Sequence, residues 1–502
     1  MKVSKLRFIL DTNVIIPLED SSILLEEPLQ FFIKSAGVKG YKLLYHPATK
    51  TDIKRDKNVI RRERSLAALC KYSELESHNV TKDELINDWG DVSSPNDLCD
   101  NFILHSIYRN CADFLVTEDL GIHKKARNLR LSERVLYIQQ ASNLLRDNFK
   151  EENLKFPGIL ELFLTELNLD MPVFESLSAS YGGFESWFEK SQREGRKCWV
   201  INESGEIDAL AILKDEDSPI ITIDDKGLRE KTLKICTFKV APLSRGKHYG
   251  ELLLKKTFIT AFEQDYKNIY LTIREGEQPH LRELLETNGF FSFGKTLTND
   301  GFLDDVYVKS MYPAENSFNE PTLYFSIKYH PHFLISEDTG FFCIPIQPRY
   351  HRHLFPEVQI QQELLGSGAI VGNSIRQAYI CSSNSNQVTE GSIIFFYRSK
   401  DYKQITTFGI VEKVERTNDP TRAIQLTRKR TIYSDEDIKN TCLKGALIIL
   451  FRVLGHFDKP ISREALHELG IKGNTQSIRR LERKPALEIL DTNDKRNYFT
   501  TS

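Results

Sequence analysis

The stretch Leu6-Arg7-Phe8-Ile9-Leu10-Asp11-Thr12-Asn13-Val14 decides how the first part of this chain is read. It is a short apolar run that delivers a carboxylate and an amide at its C-terminal tip. In an open α/β sheet that tip is where ligands and chemistry usually sit. An Asp there serves either as a plain cap for the next helix or as one corner of a metal site, and the residues that follow decide between the two.

Working outward, residues 1–150 alternate strand and helix patterns. Leu6–Ile15 reads as a strand, Ser21–Ser35 as a helix and Tyr41–His46 as a second strand ending at Pro47. Ala48–Leu75 is a long polar helical region. Ser94-Pro95-Asn96-Asp97 opens a helix that runs to Asn110, with Pro after Ser as helix starts favour. Asp113–Thr117 is a strand ending in Glu118-Asp119, and Arg134–Gln139 a last strand. This βα repetition predicts a parallel sheet with helices on its faces. Asp11, Asp52, Asp97, Asp100 and Asp119 then fall on one edge of that sheet. Several carboxylates converging there repel one another unless cations occupy the space between them. Oxygen ligands of this kind suit Mg²⁺ or Mn²⁺, which activate water and support in-line displacement at a phosphodiester.

A chain of 502 residues exceeds one core, so two to four domains are expected. Hydrophobic content of 40% and charged content of 27% are ordinary for globular proteins. No run of about 18 apolar residues predicts a membrane span, and Met1-Lys2-Val3-Ser4-Lys5 enters a strand directly, with no signal-peptide pattern. The 8 cysteines form no CxxC pair, which argues for reduced thiols in a cytoplasm and against a structural zinc site. A formal net charge of -2 does not mark a nucleic-acid binder, so any such binding must come from local basic patches.

On Asp11-Thr12-Asn13, Asp100-x-x-Ile103 and Ala112-Asp113-Phe114-Leu115-Val116-Thr117-x-Asp119, residues 1–150 resemble the PIN domain, a family of metal-dependent ribonucleases with a small α/β/α fold. The resemblance implies an acidic quartet of Asp11, Asp100 and Asp119 with Asp52, Asp56 competing for the last place. Asp11, Asp100 and Asp119 would bind the metal, and Asn13 and Thr117 would orient the carboxylates.

Residues 150–315 change character. Phe184–Glu194 reads as a helix, and Lys197–Asn202 and Glu206–Lys214 as strands around Glu203-Ser204-Gly205. Leu233–Val240 is a further strand, followed by Arg245-Gly246-Lys247-His248-Tyr249-Gly250 and an amphipathic helix from Glu251 to about Asp265. Asn268–Arg274 is a strand and His280–Asn288 a helix. A strand, a glycine-basic loop and a helix make a pyrophosphate site from loop amides and a helix N-terminus. The stretch Ile235–Val240, the loop Arg245–Gly250 and Leu281–Phe290 resemble the GNAT family of acyl-CoA N-acyltransferases. That resemblance implies acetyl-CoA binding by Phe238, Val240, Arg245, Gly246, Lys247, His248, Tyr249 and Gly250. Two departures stand out: His248 occupies a family glycine position, and Leu285 lies where many members have a Tyr that protonates the leaving thiolate. Glu275, Glu277 and His280 are candidate bases, and a solvated loop explains them equally well.

In the last block, Glu320–Lys328, Gly340–Ile346, Ala378–Ser382, Gly391–Arg398, Thr406–Val414 and Ala423–Leu426 read as strands, residues 348–356 as a basic and aromatic loop, and Gly445–Leu490 as largely helical. Gly391–Ser399 followed by Thr406–Val414 resembles the small β-barrels of the ASCH and PUA-like superfamily, which bind RNA or modified bases. Arg349, Arg352, Arg398, Lys400, Arg428, Lys429 and Arg430 would face phosphates, while Tyr350, Phe396 and Tyr397 would stack bases; core packing is the competing reading for Phe396.

The expected architecture is multidomain α/β and α+β: a PIN-like parallel-sheet α/β/α domain over residues 1–150, a GNAT-like mixed-sheet domain over 151–315 and a PUA-like β-barrel domain over 316–502. The expected function is a metal-dependent endoribonuclease with acetyl-CoA and RNA as ligands. These families prompt a toxin or defence role with an antitoxin or an acetylated protein as partner. The competing readings are an acetyltransferase using the first domain as an RNA-binding platform, and a non-enzymatic RNA-binding regulator.

Overall fold

A computed structural model of the chain describes residues 6–19, 26–76, 80–89, 92, 94–145, 158–202, 206–241, 244, 248–275, 278–298, 300–358, 369–370, 374–427, 432–472, 476–491 and 499–501. The chain forms two compact units, one of Met1–Lys150 with Thr417–Ile448 and the other of Glu151–Arg416 with Ile449–Ser502.

In the first unit, β1 (Arg7–Leu10), β2 (Lys42–Tyr45), β3 (Ser73–Glu74), β4 (Phe114–Val116) and β5 (Val135–Leu136) form one sheet in the order β3-β2-β1-β4-β5. Every pairing in it is parallel, with Ile9 opposite both Leu44 and Leu115. Strands β1, β4 and β5 are largely apolar because both faces are covered, whereas edge strand β3 is polar and exposed. Phe8, Phe32 and Phe114 pack together, while Ile9, Leu44 and Leu115 meet Ile103, Leu104 and Ile107. The helices are α1 (Thr12–Glu19), α2 (Glu27–Lys39), α3 (Pro47–Lys54), α4 (Val59–Ala68), α5 (Lys82–Trp89), α6 (Pro95–Tyr108), α7 (Leu120–Asn128) and α8 (Ile138–Leu145). The expected opening of α6 is where the sequence puts it: Ser94 Oγ accepts from Asp97 N over 3.1 Å, with Pro95 in the first turn. Three expectations change. The first strand stops at Leu10, and Thr12–Ile15 already belongs to α1. The polar region after β2 is broken into α3, α4 and a short 3₁₀ turn before β3, and the last strand is only Val135–Leu136, with Ile138 already helical.

In the second unit, the larger sheet contains β6 (Gly158–Phe163), β7 (Lys197–Ile201), β8 (Ala209–Asp217), β9 (Lys231–Val240), β10 (Asn268–Arg274), β11 (Phe291–Leu297) and β12 (Leu303–Ser310). Their order is β11-β12-β10-β9-β8-β7-β6, and only β9 and β10 run parallel to each other. The helices α9 (Pro172–Ser180), α10 (Phe184–Arg193), α11 (Tyr249–Glu263) and α12 (Pro279–Thr287) lie between these strands in sequence. Two further helices follow, α13 (Thr322–Tyr329) and α14 (Pro348–Leu354). β13 (Phe333–Ile335) pairs in parallel with β21 (Phe499–Thr501), and β15 (Ala369–Ile370) pairs antiparallel with β6.

The second sheet is built from β14 (Phe341–Ile346), β16 (Arg376–Cys381), β17 (Ile393–Arg398), β18 (Gln404–Thr417), β19 (Ala446–Ser462) and β20 (Arg479–Leu481), in the order β16-β19-β18-β17-β14-β20. Several expectations are corrected here. Glu320–Lys328 is not a strand: Pro321 precedes α13, and Phe325 and Tyr329 bury one turn apart, a helical rather than a two-residue period. Ala423–Leu426 lies inside the helix Pro420–Thr427, opened by Asp419 Oδ1 accepting from Thr421 N over 2.9 Å. The basic loop at 348–356 is largely α14. The tail is not mainly helical, because Ala446–Phe451 is an unbroken buried apolar run that forms the first part of β19.

Candidate functional site

The first candidate site lies at the C-terminal edge of the parallel sheet. Asp11 directly follows β1, and its backbone N–H donates to Val116 O over 3.1 Å, joining the tips of β1 and β4. Its Oδ1 accepts from Thr12 N at 2.7 Å, and its Oδ2 accepts from the Thr117 hydroxyl at 2.6 Å. Asn13 Nδ2 donates to Thr117 Oγ1 at 3.2 Å, and Asn13 Oδ1 accepts from Glu118 N at 3.2 Å. Thr117 thus bonds Asp11 directly, and Asn13 bonds Thr117. Asp119 begins α7 and its Oδ1 accepts from Ile122 N at 2.9 Å. A Cβ at residue 121 would stand 3.0 Å from that oxygen, so Gly121 leaves room for the carboxylate.

Burial pushes the Asp11 carboxyl up to about 6, and the charges of Asp119 and Asp52 add to the effect; hydrogen bonds from Thr117 and Thr12 oppose it. Burial pushes Asp100, on α6, up to about 7, helped by Asp119, Asp11 and Asp52. The four expected acids are therefore brought near enough to feel one another. The other acids have partners of their own: Asp97 pairs with Lys125, which also donates to Asn101 Oδ1 at 2.6 Å, and Asp56 accepts from Asn58 N at 3.0 Å. Asp52 itself pairs with Arg55 at 2.8 Å. Among the described residues no group of three or more His, Cys, Asp or Glu could hold a metal ion as it stands. The donor chemistry suits a hard divalent cation, but the oxygens are engaged by Thr12, Thr117, Ile122 and Arg55.

Arg134 escaped the sequence reading. It is buried and its guanidinium donates to the carbonyls of Asp113 (3.1 Å), Ile107 (2.7 Å) and Ala112, and to Asn110 Oδ1 (2.6 Å), locking the turn between α6 and β4. Burial lowers its pKa to about 10. Only the fold brings these carbonyls together, so no local signal announces the residue.

The second candidate site is a split in the larger sheet. β9 and β10 pair only along Asn268–Tyr270 and Thr232–Lys234, although β9 continues to Val240 and β10 to Arg274. The two strands part beyond Lys234. The β8–β9 register shifts between Ile212 and Leu213, which face Thr237 and Ile235, and this leaves Cys236 as an extra residue in a bulge. Past β9, Arg245, Gly246 and Lys247 lie outside the described residues. His248 adopts the left-handed conformation expected of a glycine there, φ 62° and ψ 14°, and begins α11 without capping it by its side chain. A helix start of this kind attracts anions. Tyr249 offers only its backbone, since its ring is buried with Trp199 and Leu252. A Cβ on Gly250 would stand 3.1 Å from Leu284, 3.5 Å from Phe238 and 3.7 Å from Val240. The split is thus bounded by Phe238, Val240, α11 and α12.

Leu285 is fully buried in the core of this sheet, so no side-chain acid stands at that position. Of the candidate bases, Glu275 pairs with Lys295 at 2.5 Å, His280 is exposed and Glu277 lies outside the described residues.

The expected base-stacking and phosphate residues of the last block are partly corrected. Phe396 and Tyr397 are core residues, with the Phe396 ring 4.9 Å from Phe355 and 4.8 Å from Phe451. Strand β17 is buried on both faces, so alternation does not expose one of them. Arg398 is buried and pairs with Asp401 at 2.6 Å. Arg349, Arg352 and Lys400 are exposed, Tyr350 is half-buried, and Arg428, Lys429 and Arg430 lie outside the described residues.

Residues 161–290 match the Acetyltransferase (GNAT) family. No curated protein matches the chain. Among solved structures, ASCH from Zymomonas mobilis is similar at 12% identity, covering 30% of this chain and 94% of its own, with a TM-score of 0.24. An N-acetyltransferase from Staphylococcus aureus is similar at 16% identity over 30% of this chain and 98% of its own, TM-score 0.23. A GNAT family acetyltransferase from Elizabethkingia anophelis with acetyl-CoA bound is similar at 14% identity over 30% and 98%, TM-score 0.22. Among the described residues no helix is long and apolar enough to cross a membrane. Residues 161–290 of this chain are a GNAT acetyltransferase domain.

Proposed function

We propose that the chain binds acetyl-CoA in the split between β9 and β10 and transfers the acetyl group to an amine. The observation that carries this reading is the parting of the two parallel strands beyond Lys234 and Tyr270, with a bulge at Cys236 and a helix start that the His248 side chain does not cap, all inside the family match. The pantetheine arm suits the gap, where parted strands leave backbone groups for amide hydrogen bonds. The pyrophosphate suits the first turn of α11. With Leu285 in the core, the proton for the departing thiolate comes from the acceptor ammonium or from water. Calorimetry with acetyl-CoA tests the reading: one site per chain is expected, and no heat of binding overturns it.

A second activity is supported by the mutual elevation of Asp11 and Asp100. Here the PIN resemblance and the all-parallel sheet favour a metal-dependent endoribonuclease. Asp11, Asp100 and Asp119, with Asp52 beside them, would hold Mg²⁺ or Mn²⁺; such an ion supplies an activated water and neutralises developing phosphoryl charge. This chain's own part is to hold Asp11 ionised and oriented through Thr117, Thr12 and Asn13. RNA is the proposed substrate, with Arg349, Arg352 and Lys400 of the ASCH-like block as its exposed basic contacts. Sequencing RNA ends after expression of the wild type and the Asp11→Asn, Asp119→Asn double variant tests it; the same cuts from both sink the reading.

A further inference from the structure

Helix α11 carries two charged side chains one turn apart, Glu251 and Lys255, and each has a partner beyond the GNAT domain. Glu251 Oε1 accepts from Arg376 N, at the start of β16, over 3.0 Å, and Glu251 Oε2 faces His248 Nδ1 at 3.6 Å. Lys255 Nζ donates to Glu357 Oε1 at 2.7 Å. The same oxygen meets His456 Nε2 at 2.7 Å, and His456 Nδ1 meets the Thr407 hydroxyl at 2.9 Å.

A second set of bonds closes the loop. The Arg376 guanidinium grips Glu412 of β18 through contacts of 2.9, 3.2 and 3.0 Å. Glu412 Oε1 also accepts from Arg452 Nε of β19 at 2.7 Å. Arg452 Nη2 and Nη1 then reach Thr287 O at 2.6 Å and Asn288 Oδ1 at 3.2 Å, at the end of α12. One carboxylate on the C-terminal sheet therefore joins the two helices that bound the split. Lys255 and Glu412 side chains are 9% exposed and that of Arg452 is 1% exposed.

Buried pairs of this kind resist rearrangement, because parting them leaves an uncompensated charge in a low dielectric. The helices cannot slide along the second sheet without breaking them. The family match ends at residue 290, before any of Glu357, Arg376, Glu412, Arg452 or His456. We infer that Glu412 and Glu357 are positioning residues for the acyl-CoA cleft: the C-terminal sheet sets where the first turn of α11 and the end of α12 stand, and so sets cofactor affinity. This rests on reading the split as the acyl-CoA site.

The test uses the full chain with Glu412→Gln and, separately, the milder Glu357→Gln. Asp401→Asn is the control, since it breaks the ion pair of buried Arg398 with exposed Asp401, in the turn between β17 and β18, away from α11 and α12. Acetyl-CoA dissociation constants are measured by calorimetry, and amide hydrogen exchange over 249–253 is followed without ligand. The expected result is affinity weakened about five- to tenfold with faster exchange in that first turn, for both Glu variants and not for the control. Affinity within about twofold of wild type in a folded Glu357→Gln protein overturns the inference, as does equal weakening by Asp401→Asn. Should Glu412→Gln fail to fold, Glu357→Gln decides. If the wild type binds no acetyl-CoA, the cleft reading falls, while unchanged exchange over 249–253 in the folded variants separately refutes the clamp.

Discussion

The Thr117 hydroxyl donates to Asp11 Oδ2 over 2.6 Å, joining the residue that follows β4 to the residue that follows β1. Both are buried, so the bond works in a low dielectric and favours the ionised carboxylate. Thr117→Val keeps the shape and removes the donor. It is expected to push the Asp11 carboxyl higher still and to cost about 1–3 kcal/mol in chemical denaturation. Thr117→Ser restores the donor and most of the loss.

Asp100 and Asp11 are predicted to oppose folding when both are charged and no cation is present. Asp100→Asn removes one of those charges and is expected to stabilise the ligand-free protein by about 1–2 kcal/mol, read as a raised melting temperature, while removing any metal-dependent RNA cleavage. A fall in melting temperature would contradict the electrostatic reading.

The same shifts set a pH dependence of opposite sign in the two units. Asp11 and Asp100 have folded pKa values near 6 and 7, above the ordinary value of 3.8. The folded state takes up these protons first, so acidification from pH 7 to 4 stabilises this site. His351 and His332 in the second unit are lowered by burial to about 3 and about 4, from 6.5. There the unfolded chain is protonated first, and stability is lost as pH falls from 6.5 toward 4. Hydrogen exchange, corrected for intrinsic rates, should show protection rising around 100–119 and falling around 330–355 over this window. A parallel change in both regions counts against the assignment.

Gly250 sits against Leu284, Phe238 and Val240. Gly250→Ala places a methyl 3.1 Å from Leu284, so α12 must give way at the edge of the split. The expected outcome is a loss of about 1–2 kcal/mol in stability with weaker acetyl-CoA binding, measured by melting and calorimetry. His248→Gly in the same loop relieves a left-handed non-glycine residue and should raise stability by up to about 1 kcal/mol.

Phe396→Ala should cost about 3–5 kcal/mol of stability, because the ring fills a cluster with Phe355, Tyr379 and Phe451. A stable variant with selectively weakened RNA binding would instead restore the surface reading of this residue.

Local patterns carried some of this a long way. The apolar runs of β1, β2 and β4, the Ser94-Pro95 helix start and the strand-loop-helix at 231–263 were legible because each signal lies within a few neighbouring residues. Readings failed where burial overrode local character. Pro321-Thr322-Leu323-Tyr324-Phe325 is rich in strand formers, yet the chain coils so that Phe325 and Tyr329 reach one core. Phe396 and Tyr397 read as base-stacking candidates with alternation placing at least one aromatic of Phe395–Tyr397 in the core, yet β17 is covered on both sides and all three are buried. Arg398 read as a phosphate contact and is spent on Asp401.

By itself the sequence determined that an apolar strand delivers Asp11 at its tip, that a glycine-basic loop precedes α11, and that His248 stands where the resembled family has a glycine. Periodicity and residue type are local quantities, and they suffice for that. Only the tertiary structure decided which acids face one another, that β9 and β10 part beyond Lys234, and that Glu412 serves two helices through Arg376 and Arg452. Those facts join residues up to 165 positions apart, as in Arg452 and Thr287. Pairing over such distances depends on which faces the whole chain buries together, and no window along the sequence contains it.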